Sequence, residues 1–461
     1  MIEVQEQTME HIFQDAINQI GAQDDIQLVA ITKKIDAIEP VQFFANAKQL
    51  GNNRMFWTSP KDHFTLASVG NAYDIIAEEA VFDMTEDKWT NLLQHVKAYN
   101  PYQAPGTGVV IIGGMSFDPE KQSTDLWNHF HPSHFTVPAY LLTKQEDTYY
   151  FTITRHVKKT DDPNQLAKEI RDVESNLLEN TSEINADFSI KEKLEVEPAK
   201  WKKTVQQATE MMKQKKAEKI VLARELQLTL TKQANIAAVL QRLMATQETS
   251  YVFAFEKEDR CFVGATPERL VKLEENQLFS ACLAGTAPRG KTKEEDEAIS
   301  EQLWYDSKNR QEHDYVVQMI KQAVMSSCEA IEIPEEPIVY SLRNMHHLFT
   351  PVAATLKEEH SIFQVMKKLH PTPALGGAPR NVALDFIREQ ELLDRGWYGA
   401  PIGWLDHNEN GEFAVAIRSS LIQGDHASLF AGCGIVADSD PETEYEETNI
   451  KFSPMLAVLG E

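Results

Sequence analysis

Residues 251–273 read YVFAFEKEDRCFVGATPERLVKL, and this stretch decides the fold class. Three short apolar runs, Tyr251 to Phe255, Cys261 to Val263 and Leu270 to Leu273, are rich in aromatic and β-branched residues and separated by charged or Pro-containing turns. They read as neighbouring strands, with no room between them for the helical crossover that a parallel pair requires. Another strand, Ile220 to Leu228, lies upstream behind a helix over Ala199 to Lys216, and helices over Lys293 to Leu303 and Arg310 to Ser326 follow. Strands return near Ile338 to Leu342 and His347 to Ala354. The C-terminal part holds strands at Ile402 to Leu405, Phe413 to Arg418 and Ala427 to Phe430, then a helix from Pro441 to about Val458.

The first part of the chain mixes both kinds of element. Thr8 to Ile20 and Trp89 to Tyr99 have helical spacing, whereas Ile26 to Ile31, Val109 to Ile112, Ala139 to Leu142 and Tyr149 to Thr154 read as strands. A helical stretch from Lys159 to Asn180 leads into the polar segment Thr181 to Val196, the best boundary, dividing 1–195 from 196–461. Strands in neighbouring groups with helices clumped between them predict an α+β fold, with mainly antiparallel sheets packed together and covered by helices.

Composition narrows the function. With 45 Lys and Arg against 70 Asp and Glu the formal net charge is -25, so nucleic acid is an unfavourable partner. An anionic small molecule would need a local basic pocket or a metal ion. The four cysteines, Cys261, Cys282, Cys328 and Cys433, show no zinc-site spacing and read as reduced and buried. No apolar run is long enough to span a bilayer, and the first residues lack the order of a signal peptide; the expectation is a cytoplasmic protein without membrane attachment.

No phosphate loop, dinucleotide fingerprint, zincin motif or hydrolase elbow occurs, and the chemistry-bearing residues concentrate after the boundary. In the run from Asp438 to Lys451, Asp440 or Ser439 is a natural N-cap and Pro441 a natural first helical residue. Spacings of three and four then put Glu444, Glu447 and Lys451 on one face. Either Glu447 pairs with Lys451 at the surface, or two carboxylates one turn apart hold a hard cation. Gly432 and Gly434 sit just upstream, where missing side chains admit a ligand to the backbone or serve a turn. Arg418, at the end of an apolar strand, either caps a surface or clamps a carboxylate.

Glu312 stands at a helix start and Glu268 in a Pro-stiffened turn, both ordinary places for solvated acids. Lys219 opens a strand, where lysine commonly guards an edge; if buried, its free amine becomes a candidate base. His347 taken alone reads as a structural histidine, and the segment from Leu369 to Arg380 as a rigid, shaped loop.

Taken together and in order, these segments resemble the chorismate-utilising enzymes, which include isochorismate, salicylate, anthranilate and aminodeoxychorismate synthases. The resemblance runs from about Pro198 to Val458, through Lys219 to Arg224, Gly264 to Arg269, Ala284-Gly285-Thr286, Glu312-His313, His347-Leu348, His370 to Gly377, Ala416 to Arg418 and Gly432 to Lys451. It implies one large chorismate-binding fold whose divergent first half is 1–195 and whose catalytic core is 196–461. It implies Mg²⁺ held by Glu312 and Glu447 with Glu444 close by, and substrate contacts from Gly285, Thr286, His347, Tyr398, Arg418, Gly432, Gly434 and Lys451. Within the family Lys219 matches a water-activating lysine and Glu268 the acid.

Ala284 stands where aminodeoxychorismate synthases carry a nucleophilic lysine, and Lys219 where anthranilate synthases carry glutamine. The expectation is therefore an isochorismate synthase, closest to the menaquinone type, with a salicylate synthase and a non-catalytic chorismate-binding regulator as alternatives. No glutaminase subunit is expected, and a monomer or a homodimer fits equally.

Overall fold

The computed structural model describes residues 8–21, 26–59, 63–341 and 345–460. Among these residues 21 strands form one continuous sheet. Every pairing in it is antiparallel except that of Ile26–Ile35 with Val96–Tyr99. One arm runs from Ile190–Glu195 through Lys219–Leu230, His426–Ile435, Ser419–Gln423, Arg260–Thr266 and Tyr251–Lys257 to Arg54–Ser59 and Phe64–Ala77. A second arm runs from Ser133–Gln145 through Val110–Met115, Pro401–Asp406, Gly411–Val415, Arg269–Glu274 and Gln277–Pro288 to Met345–Leu356. Phe64–Ala77 and Ser133–Gln145 pair with each other and join the arms, with a register shift between Asn71 and Tyr73.

The two arms pack face to face because their strands alternate. Phe253 and Phe255 turn inward with Phe262, Phe430, Ile402, Trp404 and Ala414, all buried between the arms. On the same strands Val252, Ala254 and Val263 turn the other way, onto a core shared with the helices Met9–Gln19, Pro40–Asn46 and Ile236–Thr246. Phe413, Val415 and Leu405 face a third core containing Val316, Ile320, Phe363 and Met366 from the helices Ser307–Met325 and Ile362–Leu369. A period-two sequence thus serves three cores, which gives the helix-covered double sheet expected of an α+β chain.

Several boundaries differ from the sequence expectation for local reasons. The helix expected over Trp89 to Tyr99 belongs to Val81–His95, and its last residues become a strand beside Ile26–Ile35. The expected boundary segment contains the strand Ile190–Glu195, which extends the sheet by pairing with residues 226–230. Leu342, the expected end of one strand, lies outside the described residues, as does Asn344 beside His347. The strand expected to end in Arg418 stops at Val415, and Arg418 itself occupies a left-handed corner with φ +53°. Such a conformation costs an arginine about 1–2 kcal/mol. The helix carrying Glu312 begins at Ser307, because Asp306 caps it by accepting from the Asn309 amide at 2.7 Å. Glu312 therefore lies in the second turn and not at the helix start.

Candidate functional site

Lys219 is fixed from both edges of its strand. On one side Ile220 and Val221 pair with Ile435 and Gly434; on the other Ala378 pairs with Lys219 and Gly377 with Ile220. The loop after His370 thus returns as a short strand clamped beside Lys219. The lysine is no surface gatekeeper: its side chain is only 17% exposed and forms an ion pair with Glu312 Oε1. Gly434 makes room for it. A Cβ at that glycine would stand 2.5 Å from Lys219 Cε, so the missing side chain is replaced by the lysine's own stem. Gly432 faces the Tyr398 hydroxyl, 3.4 Å from where its Cβ would be. Neither glycine has a positive φ, so space and not a turn explains both.

Glu268 sits in the turn between Arg260–Thr266 and Arg269–Glu274. Its amide donates to Thr266 Oγ1 at 3.2 Å and its carbonyl accepts from the Val415 amide at 3.0 Å. The next residue, Arg269, donates to Glu412 Oε1 and to the Tyr251 hydroxyl oxygen, both at 2.8 Å, and Glu412 is buried. This turn is held at every residue from 266 to 269 except Pro267, whose ring is itself rigid. Burial pushes the Glu268 carboxyl up to about 7, against the opposing pull of Lys219, Arg418 and Lys451. The turn glutamate expected to be solvated is therefore a desolvated acid surrounded by cations.

Arg418 and Lys451 come from a strand corner and from the final helix, Pro441–Leu459. Arg418 Nη1 donates to the Lys451 carbonyl at 3.4 Å, and Lys451 Nζ donates to the Gly432 carbonyl at 2.8 Å. Lys451 also pairs with Glu447 Oε1 at 2.6 Å, so the pair expected from the helical spacing exists. It lies beside Gly432 and Arg418 at the site. Asp440 caps the helix by accepting from the Glu442 and Thr443 amides. Ser439, the alternative cap, instead donates to Glu444 Oε1 at 2.6 Å.

Thr286 and His347 face each other across paired strands, with Thr286 Oγ1 and His347 Nδ1 3.0 Å apart. Gly285, at φ +78°, supplies the register shift that aligns them. Burial, then Arg418 and Lys451, pull the His347 imidazole down to about 4, so it is neutral at physiological pH. Beside this pair opens a cleft of about 560 Å³ lined by Pro267, Arg289, His347, Arg418, Ile450 and Pro454, among others. Lys219, Arg418 and Lys451 gather three cations at one place in a chain of net charge -25, the two lysines paired with Glu312 and Glu447, and such donors are what an anionic ligand requires.

The carboxylates suit a hard divalent cation in chemistry. Glu312 and Glu447 offer oxygen donors from two helices, and each already attracts one positive group, Lys219 and Lys451 respectively. Among the described residues no three acidic, His or Cys side chains converge as a closed metal cage. An ion that takes one or two carboxylates and completes its shell with water and substrate oxygens fits such a set.

Sequence reasoning missed the groups that hold this site from behind: Glu391, Arg395, Arg269, Glu412 and Tyr251. Glu391 and Arg395 are four residues apart, a spacing that reads as a surface helical pair. Both are buried, and they follow the end of the helix Arg380–Gln390. Their burial could not be read from spacing.

A strand-borne amine, a desolvated acid and a basic patch within one helix-covered double sheet define a small-molecule enzyme of the chorismate-binding type. The family model of the chorismate binding enzymes matches residues 15–460, and the chain belongs to that family. The isochorismate synthase MenF of Bacillus subtilis is 41% identical over 447 residues, covering 94% of this chain and 93% of that protein. The salicylate biosynthesis isochorismate synthase of Pseudomonas aeruginosa is 33% identical over 457 residues, covering 97% and 93%. Among solved structures, the menaquinone-specific isochorismate synthase MenF of Escherichia coli superposes with a TM-score of 0.80 at 22% identity, covering 99% of this chain and all of that one. No helix among the described residues is long and apolar enough to cross a membrane.

Proposed function

We propose that the chain converts chorismate to isochorismate. The observation that carries this reading is the convergence of Lys219 and the desolvated Glu268 on one site that Arg418 and Lys451 make cationic. The likeness to the Bacillus subtilis and Pseudomonas aeruginosa isochorismate synthases over nearly the whole chain supports it. Lys219, in the role of base, takes a proton from a water whose oxygen bonds to ring carbon 2. Both ring double bonds shift by one position, from C1=C2 and C5=C6 to C1=C6 and C4=C5, the carbon–oxygen bond at carbon 4 breaks, and Glu268 gives its proton to the departing hydroxyl, which leaves as water. One water enters and one leaves, so the reaction is an isomerisation.

Glu268 is suited to this because a carboxyl pushed to about 7 still carries its proton in about half of the molecules at pH 7, where an ordinary glutamate is almost wholly ionised. Arg418 and Lys451 take the side-chain carboxylate of the substrate, with the Tyr398 hydroxyl and the backbone at Gly432 beside them. Thr286 and the neutral His347 line the same space and donate or accept without adding charge. Glu312 and Glu447, with Glu444 near, would hold Mg²⁺, which supplies charge neutralisation and orientation for the ring carboxylate.

Incubation with chorismate and Mg²⁺, followed by product analysis, tests the proposal. Isochorismate as the released product is expected; stoichiometric pyruvate with salicylate would replace the proposal by a salicylate synthase. Binding without turnover would make the chain a regulator. Lys219→Ala is expected to keep its fold and lose turnover, and full activity in that variant would remove Lys219 from the role of base.

A further inference from the structure

The outer edge of the Lys219–Leu230 strand has no single partner. Residues 219–221 pair with the short strand Gly377–Ala378 and with the Gly376 carbonyl, and residues 226–230 pair with Ile190–Glu195. Between these two stretches the edge is completed by side chains. Glu391 Oε2 accepts from the Ala223 amide at 2.7 Å, Arg395 Nη2 donates to the Val221 carbonyl at 2.8 Å, and Trp201 Nε1 donates to the Ala223 carbonyl at 3.1 Å. Arg395 Nη1 also reaches the Leu375 carbonyl at 3.0 Å, in the loop that returns beside Lys219. The carbonyl of Arg395 accepts from the Tyr398 amide at 2.8 Å.

Glu391 and Arg395 are joined by two parallel hydrogen bonds of 2.6 and 2.7 Å, and their side chains are 1% and 4% exposed. Their donors and acceptors go to each other and to three backbone groups of the site, while the guanidinium stacks 4.1 Å from the Phe117 ring. A buried ion pair contributes little net stability when an apolar pair could fill the same volume. Its distinguishing property is direction: the planar fork fixes two carbonyls at once, which a packed hydrocarbon cannot do.

We propose that the buried Glu391–Arg395 pair is a positioning device for the reaction, setting the place of Lys219 by completing the hydrogen-bond ladder where the sheet edge is interrupted. The inference rests on the reading of Lys219 as the base. Neither residue touches substrate. They act through Val221 and Ala223, two and four residues from Lys219 in its own strand, and through Leu375 in the loop beside it. A neutral pair of similar size would preserve the packing and lose the two-carbonyl fork.

The double variant E391Q/R395M removes both charges together, so no buried ion is left alone. Its folding is checked by thermal melting, and kcat and KM for chorismate are measured with saturating Mg²⁺. A kcat lowered about 100-fold per folded molecule, with KM within about 3-fold of wild type, is the expected result, since a displacement near 1 Å of a reacting group costs that much. Should the double variant not fold, Arg395→Lys keeps the charge on Glu391 while losing the fork, and a kcat lowered at least about 10-fold is expected of it. Loss of activity matching only the fraction of unfolded protein, or a raised KM with unchanged kcat, would overturn the positioning role. Wild-type protein that turns over no chorismate would instead sink the reading of Lys219, and this inference with it.

Discussion

Gly434→Ala separates catalysis from folding at one atom. The new Cβ would lie 2.5 Å from Lys219 Cε and 3.1 Å from its Nζ. Non-bonded carbons rest at about 3.5–4.0 Å, so the lysine end must retreat by about 1 Å or more. Only the flexible end of a side chain lies in the way, and Gly434 has ordinary backbone geometry within its strand. The fold therefore tolerates alanine, which in a strand interior stabilises by about 0.5–1 kcal/mol relative to glycine and offsets the local crowding. A reacting group displaced by about 1 Å costs about 100-fold in rate, or about 2.7 kcal/mol on the barrier. The expected variant thus melts at or slightly above the wild-type temperature and converts chorismate about 100-fold more slowly, with KM little changed. The assay is chromatographic quantification of isochorismate beside a thermal melt. A kcat within about 3-fold of wild type would show that the Lys219 position is not critical, and the reasoning from Gly434 to Lys219 would fail.

The Glu268 carboxyl, raised to about 7, predicts that kcat/KM falls as pH rises through about 7, because the acid must carry its proton. The same shift has a stability consequence: a carboxyl with a raised folded pKa contributes stability that is complete below about 4.3 and lost as pH rises through about 7. Glu268→Gln should accordingly remove part of the decline in melting temperature over that window, and an unchanged decline would contradict the desolvated acid. Chelation of divalent ions is expected to abolish turnover and added Mg²⁺ to restore it. For Glu447→Gln the Mg²⁺ concentration at half-maximal activity should rise roughly tenfold or more, about 1.4 kcal/mol, and an unshifted titration would exclude Glu447 as a ligand. Phe253→Ala, at a fully buried position between the two arms of the sheet, is expected to cost about 3–5 kcal/mol in denaturant unfolding without moving a site residue. A smaller loss would mean that the arms collapse onto the cavity.

Much of this protein was legible in one dimension. The apolar, β-branched and aromatic runs in residues 251–273 determined three strands with no helix between them; the first two pair antiparallel as expected. The third, Arg269–Glu274, departs from the expectation, pairing with Gly411–Val415 and Gln277–Pro288 in the opposite arm, a partner choice that local sequence does not specify. The cap and proline at Asp440 and Pro441 determined where the last helix begins, since a local hydrogen bond needs no distant partner. The motif order determined the family. The strand Arg54–Ser59 and the first half of Phe64–Ala77 escaped notice because they are buried on both faces and show little alternation.

The tertiary structure decided the environment of each chemical group. Glu268 is in a turn and Lys219 at a strand start, places where sequence spacing speaks for solvent; the raised Glu268 carboxyl follows from burial and from cations up to 183 positions away, as Lys451 is, and Lys219 finds its partner in Glu312 on a separate helix. Glu391 and Arg395 carry the same helical spacing as Glu447 and Lys451, yet one pair is sealed in the interior and the other borders the site. Spacing along a chain fixes which side chains can meet. Burial depends on the elements that close over them, and so the raised Glu268 carboxyl, the half-buried Lys219 and the ion pair behind them are properties of the folded sheet.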